Sequence, residues 1–446
     1  MGGRYYVETF GCRVNQADSA GLAADLDLSE HERVRSIAEA DLVILNTCTV
    51  THRSDADVRK AVHRLQRERP EAKVVVTGCY AQRAPEEVAR IEGVHLVVGN
   101  AHKKSLPVLS GQLLDHPHAA PIVVHSTMDG VDPLELPPVE PVTTVLDRTR
   151  PFVKIQDGCD ATCTYCIIPS VRGPARSATP ERILGAVATL IAAGHQEIVL
   201  AGVHLGTYGL GLPAGEREDL TGLVRRILAQ PGLMRLRLSC IEPMAFPMDL
   251  VDLAAQDRRL QPHFHLPLQA GADRILKRMV RPYRAADYLE VMQEIRKKVP
   301  NACLGTDVIV GFPGESEAEF QESCRLVQAA DLDYVHVFSY SDREGTASTR
   351  LDEKIDPRII KERSGELHRV SRELFHKFLD RQLGQHLEVL TLEPDAEEPE
   401  WTSTLSANYA PVRVKGQLPA NRLLEVEIVG KEGATLIGRL PSPAPP

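Results

Sequence analysis

FVKIQDGCDATCTYCIIPSVRG, residues 152–173, sets a short apolar run against three cysteines within eight positions. Cys159, Cys163 and Cys166 are spaced CxxxCxxC on what reads as a loop after a strand. CxxC pairs alone suggest zinc or thiol exchange, and zinc sites combine two such pairs or add nearby histidines. No fourth cysteine or histidine follows close behind this one, so a four-ligand site is one donor short. Three thiolates can instead hold three irons of a cubane cluster and leave the fourth open to a small molecule. Zinc stays the alternative at this point.

Working outward, six strand-like runs alternate with helix-like stretches from residue 151. They are "FVKIQDG", "EIVLAGVHLG" (197–206), "RLRLSCIEP" (235–243), "HFHLPLQ" (263–269), "CLGTDVIVGFP" (303–313) and "YVHVFSYS" (334–341). That alternation predicts an α/β domain closed into a partial (β/α)6 barrel, with a doubly wound sheet as the alternative. Upstream, "YYVETFG" (5–11), "DLVILNTC" (41–48), "KVVVTGC" (73–79) and "VHLVVGN" (94–100) read as buried strands, with helices at 55–69 and 84–91. This is a small parallel α/β unit. Three of its strands run directly into Cys12, Cys48 and Cys79. Carboxyl ends of parallel strands converge on one edge, where open α/β folds bind ligands. The three thiols are therefore expected to meet; the plainer alternative is three buried thiols acting as small hydrophobes.

Residues 101–148 carry Pro, His and Asp with no sustained period and read as a connection, partly ordered by "PIVV". Residues 357–382 form one long amphipathic helix with seven Lys/Arg against four Asp/Glu, either a solvated face or an RNA-contacting one. After Gly384 the pattern turns to short β runs, a small β-barrel ending in "PSPAPP". The expected domains are 1–125, a linker over 126–147, 148–380 and 381–441.

Length and composition agree. At 446 residues two to four domains are expected, and 43% hydrophobic with 25% charged residues is ordinary for a soluble protein. No apolar run reaches the roughly 18 residues of a membrane span, which predicts a cytoplasmic protein with no membrane partner. Nine cysteines, an odd number without a secretion signal, argue against a disulfide framework and for metal or redox work. A net charge of −9 argues against non-specific nucleic-acid binding.

The CxxxCxxC loop resembles that of the radical S-adenosylmethionine (SAM) enzymes, in which the open iron chelates SAM and an electron cleaves it to a 5′-deoxyadenosyl radical. The resemblance implies SAM contacts from Tyr165, Gly202 in "AGVHLGTYG", Glu242 after "LSCI", Gln269 in "HLPLQ" and Phe312 in "GFPGE". With "FGCRVNQADS" (10–19), "NTCTVT" (46–51), "TGCYAQ" (77–82), "HLPLQAGADRILKRMVRPY" (265–283) and "HVFSYSDREGTAS" (336–348), nearly the whole chain is similar to the methylthiotransferases of that superfamily. Membership implies a second 4Fe–4S cluster on Cys12, Cys48 and Cys79 whose open corner holds the sulfur, and two SAM molecules per turnover. An aromatic or unactivated C–H bond is beyond a side-chain base, which is why a radical is needed.

The same resemblance implies a TRAM-like C-terminal barrel and substrate contacts from Asn15, Arg172, Arg176, Arg413 and Lys415. It further implies a tRNA anticodon stem-loop as partner, flavodoxin or ferredoxin as electron donor, and a monomer. "FGCRVNQ", "HLGTYG" and "NYAPVRV" resemble the type acting on threonylcarbamoyladenosine; isopentenyladenosine in tRNA and an aspartate of ribosomal protein S12 are the alternatives. Residues 381–446 carry six Lys/Arg and nine Asp/Glu, unlike an RNA-gripping barrel. Either the acidic loop faces away, or the 357–382 helix with Arg413, Lys415 and Arg422 forms the RNA face, and a basic protein substrate such as S12 would fit the acidic barrel better. An electron-transfer protein and an RNA-binding module with structural clusters are the readings from other classes.

Overall fold

The computed structural model describes residues 3–116, 120–129, 149–213, 215–394 and 398–441. Its first part is a parallel sheet of β1 (Arg4–Thr9), β2 (Glu32–Arg33), β3 (Leu42–Thr47), β4 (Lys73–Gly78), β5 (Leu96–Val98) and β6 (Ile122–Val124), ordered β2-β1-β3-β4-β5-β6. Every residue of β3 is buried, as expected of a central parallel strand covered on both faces. Helices α1 (Arg13–Leu28), α2 (His52–Glu68) and α3 (Cys79–Arg83) follow β1, β3 and β4. The Thr51 hydroxyl caps α2 by accepting from the Ser54 N–H, worth about 1 kcal/mol.

Two features differ from the sequence expectation. Helix α1 lies where no element was expected. It is wedged between its own sheet and the next part of the chain, burying Asn15, Asp18 and Ser19 as well as Leu22 and Leu26. With polar residues on a buried face, no apolar period survives to be read. The stretch from 101 is also not a loose connection at its start. Leu106–Asp115 is a helix burying Leu106 and Leu113 under the sheet, and "IVV" becomes β6. The linker expected over 126–147 lies outside the described residues from 130 on.

The central part carries β7 (Phe152–Lys154), the small antiparallel pair β8 (Gln156–Asp157) and β9 (Arg176–Ser177), then β10 (Glu197–Ala201), β11 (Arg235–Leu238), β12 (His263–His265), β13 (Cys303–Val310) and β14 (Tyr334–Ser339). Sheets β7-β10-β11 and β12-β13-β14 are parallel and meet where the Ile241 N–H donates to the His265 carbonyl at 3.0 Å and Leu236 bridges Leu260. The six long strands therefore follow one another around an open arc without reversal of order. That is the partial barrel; a doubly wound sheet would show a switch point.

A long helix, Pro357–Asp380, buries Leu367, Val370, Leu374 and Phe378 along β14. It leads into a closed barrel of β15 (His386–Pro394), β16 (Trp401–Ser406), β17 (Pro411–Lys415), β18 (Leu423–Glu432) and β19 (Thr435–Arg439), ordered β15-β16-β17-β19-β18 and consistent with a TRAM-like domain. The small barrel is anchored on β11: Arg235 donates to the Glu388 carbonyl and carboxylate, both at 2.8 Å. The long helix is less of a cationic stripe than its composition suggests. Arg363 is buried on Glu315 and Glu317, and Arg358, Arg369 and Arg381 pair with Asp356, Glu373 and Asp333. Among the described residues no helix is long and apolar enough to cross a membrane.

Candidate functional site

Cys12, Cys48 and Cys79 stand at the carboxyl ends of β1, β3 and β4, and their thiols act on one another electrostatically. Close approach of these loops depends on Gly11, whose φ is +99°; a Cβ there would lie 2.5 Å from Cys48 Cβ. Asn15 fastens the loops by donating to the Phe10 carbonyl (2.7 Å) and the Thr47 carbonyl (3.0 Å). Asn100 donates toward Cys79 Sγ at 3.8 Å and to the Val171 carbonyl at 2.8 Å. Burial pushes the Cys48 thiol up to about 12, with Cys79 and Cys12 adding to it. Cys12 keeps solvent access in a recess whose walls push its thiol up, while Arg172 and the N-terminus of α1 pull the other way.

Beneath these thiols lies a buried ionic cluster that joins α1 to the central barrel. Asp18 receives Lys154 (2.5 Å), Lys103 (3.1 Å) and Arg172 (3.0 Å); Asp157 receives Lys154 (2.9 Å) and Arg172 (2.9 Å). Burial alone would raise both carboxyls, but the three cations outweigh it and hold Asp18 and Asp157 below their ordinary range. Arg176 adds a longer contact to Asp157 (3.9 Å), so the cations outnumber the two carboxylates beside Cys12 and Cys79. Such a field favours thiolates and a bound anionic cluster.

The second trio sits on the loop after β8. Gly158, at φ +73°, opens it; a Cβ there would lie 1.9 Å from the Pro174 carbonyl oxygen, so only glycine fits. The Cys159 N–H donates to the Gly173 carbonyl (3.1 Å), and Thr164 ties the loop to Met279 and Arg278. Burial raises the Cys159 thiol and pushes that of Cys166 up to about 12. Arg281 donates to Cys163 Sγ at 3.1 Å and pairs with Glu242. Arg281 was missed by the sequence reading although it lies in the quoted "VRPY"; nothing local distinguishes it from a surface arginine.

The two trios are neighbours. Cys79 packs on Ile167 and Val171, so the first trio touches the residue after Cys166. Arg172, five residues further on, reaches back to Asn15.

Other expected residues divide into those near the thiols and those sealed away. Tyr165 lies beside Cys163, Cys166, Glu242 and Arg281, its phenol pushed well up by burial. Gly202 has no room for a side chain, since a Cβ would meet Leu205 at 2.8 Å. Gln269 holds a left-handed φ of 70° while its backbone bonds to Asp307 and Ile309, strain of a kind that clusters at functional sites.

Phe312, expected to contact SAM, has its ring fully buried against Tyr340. Asn15 and Arg172 are likewise 0% and 2% exposed, and they organise the thiol loops instead of presenting a surface to substrate. Arg176 donates to the Arg172 carbonyl at 3.1 Å. Arg413 lies over Trp401 and is bonded to Glu398, so it offers RNA little free charge; Lys415 is exposed.

Among the described residues, the one set of three metal-type ligand atoms within 4.8 Å of each other is Cys240, His265 and Asp307, inside the barrel. His265 is already held by Asp307 at one nitrogen (2.9 Å) and the Tyr334 hydroxyl at the other (2.9 Å). Three thiolates on one zinc at about 2.3 Å would stand about 3.8 Å apart. Neither cysteine trio has its three sulfurs all within 4.8 Å of one another, wider than the spacing that one zinc ion imposes.

An arc of six parallel strands with this loop after its first strand defines a radical SAM enzyme. Residues 153–327 match the Radical SAM superfamily, and residues 4–99 match a family described as uncharacterized protein family UPF0004. The fold is similar to that of TsrM, a radical SAM methyltransferase from Kitasatospora setae, solved with tryptophan and a SAM analogue. The TM-score is 0.56 at 15% identity, over 75% of this chain and 72% of that one.

Two relatives cover more. The threonylcarbamoyladenosine tRNA methylthiotransferase MtaB of Aquifex aeolicus (strain VF5) is 36% identical over 94% of this chain and 99% of its own length. A tRNA-2-methylthio-N(6)-dimethylallyladenosine synthase of Clavibacter sepedonicus is 34% identical over 86% of this chain and 72% of its own length. The chain belongs to the radical-SAM tRNA methylthiotransferase family.

Proposed function

We propose that this transferase replaces the C2 hydrogen of N6-threonylcarbamoyladenosine, beside the anticodon of tRNA, with a methylthio group. The observation that carries the proposal is the packing of Cys79 on Ile167, which sets two three-thiol sites side by side. One such site serves radical generation; two in contact serve radical generation and sulfur delivery.

Cys159, Cys163 and Cys166 would hold a 4Fe–4S cluster that binds SAM, and Cys12, Cys48 and Cys79 a second. When bound, these groups supply a radical able to take an unactivated hydrogen and a sulfur to replace it. The chain's own residues do the rest. Arg281 and Glu242 flank Cys163 and orient what binds there, while Arg172 and the ionic cluster fix the distance between the two sites and bias the first toward anions. Tyr165, Gly202 and Gln269 line the SAM side. A low-potential donor such as flavodoxin or ferredoxin, in the cytoplasm, would provide the electron.

Relatives named MtaB over almost their full length support the threonylcarbamoyl substrate. Relatives named for dimethylallyladenosine, at 33–34% identity, support the second reading. Deletion of the gene followed by mass spectrometry of digested tRNA separates them. The expected result is loss of the 2-methylthio-threonylcarbamoyl nucleoside with accumulation of its unthiolated precursor. Its retention, with loss of the dimethylallyl form, would reverse the assignment.

A further inference from the structure

Arg13 follows Cys12 directly, yet its side chain belongs to the central barrel's environment. Its guanidinium donates to the Tyr409 hydroxyl at 3.2 Å and stands 5.8 Å from that ring's centroid. Tyr409 comes from the small C-terminal barrel and holds a left-handed φ of 71°. It lies flat on His263 of β12, with ring centroids 4.1 Å apart and planes 4° from parallel. Arg13 thus joins all three parts of the chain at one point, and its charge also acts on Cys240 and Tyr334 of the barrel.

The point carries more positive charge than it neutralises. Arg150 and Arg237 also stand over the Tyr409 ring, at 5.9 and 5.1 Å, and both turn to the single carboxylate of Glu197. Arg13, partly exposed, has no carboxylate partner among the described residues. Burial would raise the Tyr409 phenol, but Arg13, Arg150 and Arg237 outweigh it and draw it down. The Tyr409 oxygen accepts from Arg13 and keeps its own hydrogen for a second acceptor. Guanidinium and phenol side by side match the two oxygens of a carboxylate.

We propose that Arg13, with the Tyr409 hydroxyl, binds the carboxylate of the threonyl group on the substrate base and so makes that anion the feature this enzyme selects. The inference rests on the substrate reading above. Threonylcarbamoyladenosine ends in a carboxylate at the end of its N6 substituent, whereas a dimethylallyl group is bare hydrocarbon. C2 and C6, which carries N6, both flank N1 on one edge of the purine. A base presenting C2 to the Cys12 site therefore brings its N6 substituent along the same edge, within reach of a cation set beside the thiols. A hydrocarbon at this place would leave the guanidinium desolvated and unpaired, which rejects it.

The test uses the reconstituted enzyme and three anticodon stem-loops. One carries threonylcarbamoyladenosine, one its neutral methyl amide and one dimethylallyladenosine. Equilibrium binding gives the preference for the carboxylate as a ratio of Kd values. The wild type should prefer the acid to the amide by about 10- to 100-fold, the range of a charge-assisted bond. Arg13→Gln should collapse the ratio toward one, and Arg13→Lys should restore part of it. A merely structural Arg13 would weaken both ligands equally and leave the ratio intact, which overturns the inference. So would an absent wild-type preference in an enzyme that still methylthiolates the threonylcarbamoyl stem-loop. If the enzyme instead thiolates only the dimethylallyl stem-loop, the substrate reading itself fails and takes this inference with it.

Discussion

Cys48→Ala enzyme is expected to cleave SAM at close to the wild-type rate and insert no sulfur, whereas Cys163→Ala enzyme does neither. The two cysteines belong to trios on neighbouring loops with separate chains of support. Cys163 is held by the 159–166 loop and receives Arg281, so its loss would remove a proposed cluster ligand and one partner of a buried guanidinium that keeps Glu242. Removing even a hydrogen-bond partner of a metal ligand costs about 10- to 100-fold, so loss of the ligand itself should take 5′-deoxyadenosine formation beyond that range, to background. Cys48 follows β3 in the other sheet, buried beneath Gly11, and its replacement by alanine leaves the radical site untouched. Anaerobic assays that count 5′-deoxyadenosine and methylthio product separately check both halves. Equal loss of cleavage in the two variants would contradict the division between the trios.

Arg172→Met should destabilise the protein by about 3–5 kcal/mol, the usual cost of removing one partner from a buried ionic network. Arg172 is 2% exposed and bonds to Asp157 and Asp18 at once; without it the two buried carboxylates keep Lys103, Lys154 and a longer contact from Arg176. The pH dependence has a definite sign. Asp18 and Asp157 are held below their ordinary range in the folded state. Their contribution is therefore fully present above the unfolded carboxylate value near ~3.9 and is lost as pH falls through the folded values. Loss of Arg172 raises those folded values and moves the acid limb of the stability curve to higher pH. Urea unfolding at neutral and acidic pH measures both effects. A variant as stable as wild type with an unmoved acid limb would show that the cluster is not what joins α1 to the barrel.

The strands and both cysteine trios were legible because parallel strands buried on both faces read as apolar runs and because cysteines at their ends are few. Helix α1 was not, since its buried face carries Asn15 and Asp18 and its pattern has no period. The same polarity explains why Asn15 and Arg172 read as substrate contacts. Polar residues beside a reactive thiol look alike in sequence whether they face a ligand or hold two loops together, and only burial separates them. Phe312 is the opposite case: an aromatic in a conspicuous turn reads as a ligand contact, and its ring lies in the core. Arg281, Arg13 and Tyr409 were invisible because what matters about each is a partner more than 100 residues away. The acidic C-terminal segment that favoured a protein substrate is partly spent on Arg413, through Glu398 and Glu432, and so says less about the partner than its composition implied.

The central claim is radical methylthiolation of threonylcarbamoyladenosine. It is tested most directly by giving the reconstituted, reduced enzyme equal amounts of stem-loops carrying threonylcarbamoyladenosine and dimethylallyladenosine, then weighing the nucleosides. The account predicts a methylthio group on the threonylcarbamoyl base, with 5′-deoxyadenosine formed alongside. Thiolation of the dimethylallyl base alone, or product without 5′-deoxyadenosine, would contradict it.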